Sequence, residues 1–382
     1  MLSLGADQGM VRFVGGAVRD TLLGMPVKDV DCATRHLPAE SSRRLGDAGF
    51  KVIPTGIQHG TVTAVLTEGH VEVTTLRRDV ATDGRRATVA FTDVWREDAA
   101  RRDFTINAMS ADPISGEVFD YFGGEQDLAD RIVRFIGDPH TRIAEDHLRI
   151  LRMFRFHARF GEGAPDPDAL AACVDRANDL MALSRERIAD ELLKLLGCAC
   201  PAATVELMLD HGIFRPIIPE IDRSGIQRLC RVVDRERLSG LPGDPVRRLG
   251  ALLPADPAIA GAIARRLKLS RATTRRLEQA ASGDPDAARA LAYRFGLDVA
   301  LDLLLRREHG DKAAISALDG WQRPEMLLRG GELIDRGLRA GPRVAATLQA
   351  IERRWVGEDF PDAARLEAIV AEELAQALRE SR

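Results

Sequence analysis

Val11-Arg12-Phe13-Val14-Gly15-Gly16-Ala17-Val18-Arg19-Asp20 decides the fold class. A short β-rich run ends in two glycines, and a helix expected from Ala17 to Leu23 follows before Gly24. Glycine lets a backbone approach an anion closely, and a helix start offers free N–H groups with partial positive charge. Gly15 and Gly16 therefore form a candidate phosphate cradle, with Arg19 one turn on as a clamp. A plain strand-to-helix turn would look the same in isolation, and the G-x-G-x-x-G spacing of a dinucleotide site is absent.

The next stretch gives the turn its meaning. After eight further residues comes Asp29-Val30-Asp31. On a strand, positions i and i+2 face one way with Cα atoms ~6–7 Å apart. Two carboxylates so placed repel each other unless a hard cation lies between them, which suits Mg²⁺ shared with substrate phosphates. A second pair of strands is expected at 61–66 and 70–76, and its alternation makes Glu72 a third candidate carboxylate. The stretch 77–92 is charged and has no sustained period, so it reads as a mobile loop.

From about Arg101 the pattern becomes helical to the C-terminus, broken by proline and glycine at 161–167, 216–219, 241–245 and 254–257. Arg101, Arg102, Asp103 and Asn107 could hold a triphosphate and a ribose hydroxyl; capping of a helix end by Asp103 or Thr105 is the plainer reading. A helix over 145–156 is more informative. Asp146, Arg149, Arg152 and Arg155 fall at roughly 0°, 300°, 240° and 180° around it. Met153, Phe156 and Phe160 fall inside that charged arc, at roughly 340°, 280° and 320°. Large apolar side chains among charges argue for a pocket wall, against the alternative of i,i+3 salt bridges on a solvated face. Asp146 beside Arg149 also has a chemical meaning. A carboxylate accepts from the exocyclic amine of cytosine or adenine while a guanidinium donates to the adjacent ring nitrogen. Guanine and uracil present the reverse order and would leave both charges unpaired.

The whole chain sets the bounds. It has 382 residues, 45% of them hydrophobic and 29% charged, with a net charge of −4. That length is enough for two or three domains. No run approaches ~20 uncharged apolar residues, so no membrane span is expected. The N-terminus lacks the pattern of a signal peptide. Five scattered cysteines form neither a disulfide framework nor a zinc pair, which points to the cytoplasm. Of 54 basic residues 49 are arginine, a bias that a GC-rich genome or phosphate contact would each produce.

The ordered set GGAVRD, DVD, VEVTTLR, RRDFTINAM, DRIVRFIGDP, EDHLRILRMFRF and SRERIADELLKLL resembles the bacterial class II tRNA nucleotidyltransferases, the CCA-adding enzymes and their poly(A) polymerase relatives. It spans about Val11 to Leu196, with weaker likeness beyond. The resemblance implies an α+β architecture: a DNA-polymerase-beta-like head with a small mixed sheet over 1–130, a helical neck carrying the base-selecting helix over 131–220, and a helical body and tail over 221–382. It implies Asp29, Asp31 and Glu72 as Mg²⁺ ligands and Gly16 and Arg19 at the triphosphate, with Arg101 or Arg102 assisting. Asp146 and Arg149 would template the base, and Arg152 and Arg155 would contact the nucleotide. The implied reaction is attack of a tRNA 3′-hydroxyl on the α-phosphorus of CTP or ATP, releasing pyrophosphate. Poly(A) tailing and partial CC or A addition share every motif. Arg265, Arg266, Lys268, Arg271, Arg275 and Arg276 are candidates for holding the acceptor stem. No His/Asp constellation for phosphohydrolase activity is visible, and oligomeric state is left open.

Overall fold

The computed structural model describes residues 1–27, 29–67, 69–83, 86–309 and 312–379. The chain divides into two compact units, Met1–Pro219 and Glu220–Arg382. The boundary expected near residue 130 lies inside the first.

The first unit is built on strands β1 (Val11–Val14), β2 (Val30–Thr34), β3 (Lys51–Gly56), β4 (Thr61–Leu66) and β5 (Gly69–Thr75), with helices α1 (Gly16–Leu22) and α2 (Pro38–Asp47) between them. Then come β6 (Arg77–Asp83), β7 (Arg86–Phe91), α3 (Trp95–Ala100), β8 (Ser110–Ala111) and β9 (Val118–Phe119). Seven strands form one sheet in the order β3-β4-β5-β2-β1-β8-β9. Only β2 and β5 run parallel, which places Asp31 directly opposite Glu72. Apolar side chains of one face, Val11, Cys32, Val62 and Val73, pack with Leu4 and Leu45. That burial fixes strand register, because a one-residue slip would turn the apolar set outward.

Two expectations are corrected here. The stretch 77–92 contains an antiparallel hairpin, β6 against β7. The sequence carried its signal in Asp83-Gly84, a dipeptide favoured in tight hairpin turns; Gly84 itself lies outside the described residues, as does Glu68 of the turn expected at 68–69. The helix expected over 145–156 is two helices, α5 (Pro139–Glu145) and α6 (Arg149–Phe160), after α4 (Gly124–Ala129). Asp146 ends α5 with extended φ −153° and ψ 106°, and its Oδ1 accepts the Leu148 N–H at 3.1 Å. Asp is a poor helix-interior residue because its side chain competes for nearby backbone N–H groups. The wheel position assigned to Asp146 therefore does not apply, whereas that of the arginines does. Met153, Phe156 and Phe160 are all buried. Helices α7 (Pro167–Asp175), α8 (Arg185–Leu196) and α9 (Ala202–Asp210) complete the unit, with α6 packed on α8.

The second unit is helical. It comprises α10 (Arg223–Leu238), α11 (Pro245–Leu252), α12 (Pro257–Arg266), α13 (Arg271–Ala280), α14 (Ala288–Phe295), α15 (Leu297–Arg306), α16 (Lys312–Ser316), α17 (Gly330–Asp335), α18 (Pro342–Gly357) and α19 (Ala363–Arg379). The starts of α10 to α13 are set by Asp222, Asp244, Asp256 and Ser270, whose side chains accept backbone N–H groups of the first turn. No helix among the described residues is long and apolar enough to cross a membrane.

Candidate active site

A cavity of about 780 Å³ in the first unit is lined by Gly15, Gly16, Arg19, Asp29, Asp31, Arg101, Arg102, Asp103, Asn107, Asp146, Arg149, Arg152 and Arg155. These are all the expected site residues except Glu72, which stands beside Asp31 across the parallel ladder. Phe156, Leu148, Arg187 and Lys194 also line it.

At the glycine turn, Gly15 adopts φ +66°, ψ −125°, and a Cβ there would lie 2.8 Å from Nη1 of Arg102. The positive φ is what favours glycine here, since the Arg102 guanidinium, at the end of a flexible side chain, could move aside. Arg19 is buried, sits over the Phe160 ring at 4.1 Å and donates to Asp20 and to Oδ1 of Asn107. Burial lowers its pKa, but it remains a cation.

The three carboxylates are accessible: Asp29 lies just ahead of β2 and not on the strand as expected, Asp31 is the second residue of β2, and Glu72 is in the middle of β5. The Asp31 carboxyl is pushed above its ordinary range by partial desolvation and then by Glu72, with Asp29 adding to this and Arg102 opposing it. Oxygen donors in mutual repulsion are the set a hard divalent cation accepts. Among the described residues, no three His, Cys, Asp or Glu side chains are gathered closely enough to hold a metal ion by themselves.

A polar chain runs from the turn to the helical wall. Asn107 Nδ2 donates to Oδ1 of Asp103 at 3.1 Å, and Arg152 Nε donates to its Oδ2 at 2.8 Å. Burial alone would raise the Asp103 pKa; Arg152 and the hydrogen bonds outweigh it and hold it low. Arg155 Nε donates to Glu191 at 2.5 Å, with Arg152 at 3.6 Å from the same carboxylate. Asp146 and Arg149 are not paired with each other: Asp146 meets Arg187 at 2.7 Å, and Arg149 meets Glu145. Arg101 and Arg102 share Asp98.

Sequence reading missed Arg187, Glu191 and Asp98. Glu191 was findable as a charge four residues past Arg187 on a helix otherwise apolar toward the core. Asp98 was findable as well, three and four residues ahead of Arg101 and Arg102; Arg187 gave no local sign, because its partner Asp146 is 41 residues away. Glu191 is 3% exposed, so its loss strands the Arg155 guanidinium, while Arg152 keeps its hydrogen bonds to Asp103. Glu191→Ala is expected to cost about 2–3 kcal/mol in a urea titration, the partial exposure of Arg152 keeping it below the full penalty for a broken buried pair. Nucleotide KM should rise about tenfold, because Arg155 loses its anchor and Arg152 its second carboxylate neighbour. A change under about 0.5 kcal/mol would contradict this role.

The resemblance to known proteins is extensive. Residues 11–134 match the poly A polymerase head domain, and 164–224 match the probable RNA and SrmB-binding site of polymerase A. The CCA-adding enzyme of Streptococcus sanguinis is 34% identical over 377 residues, covering 94% of this chain and 92% of that protein. The chain belongs to the CCA-adding enzyme family. Human mitochondrial CCA tRNA nucleotidyltransferase 1 is 33% identical over 362 residues, 90% of this chain and 82% of that one. A solved structure of the Bacillus stearothermophilus CCA-adding enzyme in complex with CTP superposes with a TM-score of 0.77 at 28% identity, covering 99% of this chain and 97% of that one. The α+β architecture is thus that of CCA-adding enzymes, a family of nucleotidyltransferases acting on tRNA.

Proposed function

We propose that this chain adds CCA to tRNA 3′ ends from CTP and ATP. The observation that carries the reading is a single cavity lined both by Asp29 and Asp31 and by Asp146 and Arg149. Phosphoryl transfer needs charge control at the reacting phosphate, and choosing a nucleotide without a template needs a protein donor–acceptor pair at the base.

In this reading Gly15 and Gly16 let the triphosphate lie against the backbone, and Arg19 and Arg102 offset its charge. The 3′-hydroxyl oxygen bonds to the α-phosphorus in line as the bond to the pyrophosphate oxygen breaks. The hydroxyl proton passes to a carboxylate or to water. Asp29, Asp31 and Glu72 would hold Mg²⁺, which when bound neutralises triphosphate charge and acidifies the attacking hydroxyl. Asn107 and Asp103 hold Arg19 and Arg152 in place, and Arg152 and Arg155 wall the nucleotide. Asp146 accepts from the base amine, and Arg149 donates to the ring nitrogen. We place the protein in the cytoplasm, in keeping with its five free cysteines.

The test uses purified protein, Mg²⁺, each nucleotide alone and in mixture, and tRNAs ending before CCA, after C and after CC. Two cytidines and one adenosine should be added, with no further growth, and a chelator should stop addition until Mg²⁺ is restored. The head-domain match favours poly(A) synthesis as the second reading; long A tails on unstructured RNA would establish it. Products ending at CC, or activity only on tRNA already ending in CC, would show a partial enzyme.

A further inference from the structure

The arginines expected to hold RNA on α12 and α13 are largely committed. Arg265 pairs with Glu278, Arg266 with Glu220, and Arg276 with Asp302 and Asp244. Elsewhere in the same unit a different group lacks such partners. Arg228 and Arg231 lie about one turn apart on α10, Arg306 and Arg307 close α15, and the four line one cavity of about 380 Å³.

Their hydrogen bonds go to neutral acceptors, the Ser224 hydroxyl for Arg228 Nη1 at 2.8 Å and otherwise backbone carbonyls. Arg228 Nε donates to Ala251 O at 2.9 Å and its Nη2 to Leu253 O at 2.9 Å; Arg306 Nη2 donates to Leu253 O at 2.7 Å. Arg307 Nη2 donates to Asp286 O at 2.6 Å. Capping of α11 explains why Arg228 and Arg306 sit there. It does not explain four cations around one hollow.

Among the described residues none of the four forms an ion pair. The acids on the cavity wall are Asp284 and Glu308, and Asp284 already accepts from Arg294 and from the Asp286 N–H. Asp222, near Arg228, accepts from Ser224 and Gly225, and Asp302, near Arg306, is held by Arg247 and Arg276. Two donors are left over: Nε of Arg231 and Nη1 of Arg306 are buried without a partner. A buried donor left unsatisfied is costly, more so on a charged group, and most native structures avoid it. Burial and the Arg228 charge push Arg306 down to about 10, and burial first, then the Arg231 charge, lowers Arg228 and Arg235.

We propose that this cavity binds a phosphoryl oxyanion, held by the guanidinium groups of Arg228, Arg231, Arg306 and Arg307 that line it without an acidic partner. Guanidinium groups match phosphate oxygens in geometry and charge, and one anion in the cavity would relieve the repulsion among the four cations. The anion comes either from the backbone of bound RNA or from a free phosphate. The RNA source rests on the tRNA reading above; the free source does not.

Arg231→Gln and Arg306→Gln in the full chain test it. Arg306 also caps α11, so Arg231→Gln, which removes no hydrogen bond seen here, guards against misfolding. Binding of tRNA lacking CCA is measured against salt, and inorganic phosphate is titrated while the melting temperature is followed. If RNA supplies the anion, each variant binds tRNA about tenfold more weakly at 0.1 M salt, and the slope of log K against log salt flattens by about one. If free phosphate supplies it, tRNA binding is unchanged, and the phosphate-dependent rise in Tm falls in both variants relative to wild type. A wild-type chain that fails to bind tRNA but shows this variant-sensitive rise would overturn the tRNA reading and keep the site. Unchanged salt slope together with an unchanged phosphate response would overturn the site.

Discussion

Asp31→Ala should lower nucleotide addition to tRNA by at least ~10³-fold, because it removes the carboxylate that lines the cavity with Asp29 and faces Glu72 across the parallel ladder. A ligand of this kind has no neutral substitute for charge in the transition state, and its loss is worth several kcal/mol, or about three decades in rate. A merely structural role predicts the opposite pattern. Asp31 is exposed, and its carboxyl is pushed upward by partial desolvation and Glu72. A raised acid pKa means that the folded state disfavours the charged form. Stability is therefore lost as pH rises through the ordinary carboxylate range, and at neutral pH the ionised group opposes folding. Asp31→Asn should melt at the same temperature as wild type or slightly higher while remaining inactive. Sites held in mutual repulsion for function often show this trade. Retention of more than a tenth of the wild-type rate at saturating Mg²⁺, in either variant, would remove Asp31 from the reaction.

Local patterns carried most of the head. The glycine pair after Val14, the alternation over 61–66 and the i,i+2 aspartates are short-range signals, and the strands formed within a residue or two of where those signals lie. What escaped depended on partners far away in sequence. The hairpin at 77–91 has too many charges for an alternation test, so its turn dipeptide was the usable sign. The break at 146–148 arises because Asp146 bonds the Leu148 N–H and reaches Arg187, 41 residues on, at 2.7 Å. No periodicity reports a contact of that length. The strand β3 was missed because its central Pro54 and exposed pattern match an edge, where strand signals are weakest. The charged arc of α6 was legible for the inverse reason. Three large apolar residues among arginines cannot be solvated, whatever the partners are.

The break at Asp146 sharpens the test of base selection. Asp146→Ala should lower CTP and ATP use together by ~10²–10⁴, roughly 3–5 kcal/mol of transition-state binding, and discrimination against UTP and GTP should collapse with it. The carboxylate is 30% exposed, bonded to Arg187 on one oxygen and to the Leu148 N–H on the other. A purely structural role would therefore cost about 1 kcal/mol for the cap and under about 1 kcal/mol for the ion pair, with nucleotide choice intact. Arg187→Gln separates the two. It breaks the same ion pair but leaves the carboxylate facing the cavity, so selectivity for C and A should persist with a rate loss of about tenfold or less. Measuring kcat/KM for all four nucleotides on the wild type and both variants decides the matter. If Asp146→Ala kept its preference for CTP and ATP at a near-normal rate, or if Arg187→Gln lost that preference equally, Asp146 would be a helix-ending residue and not a reader of the base.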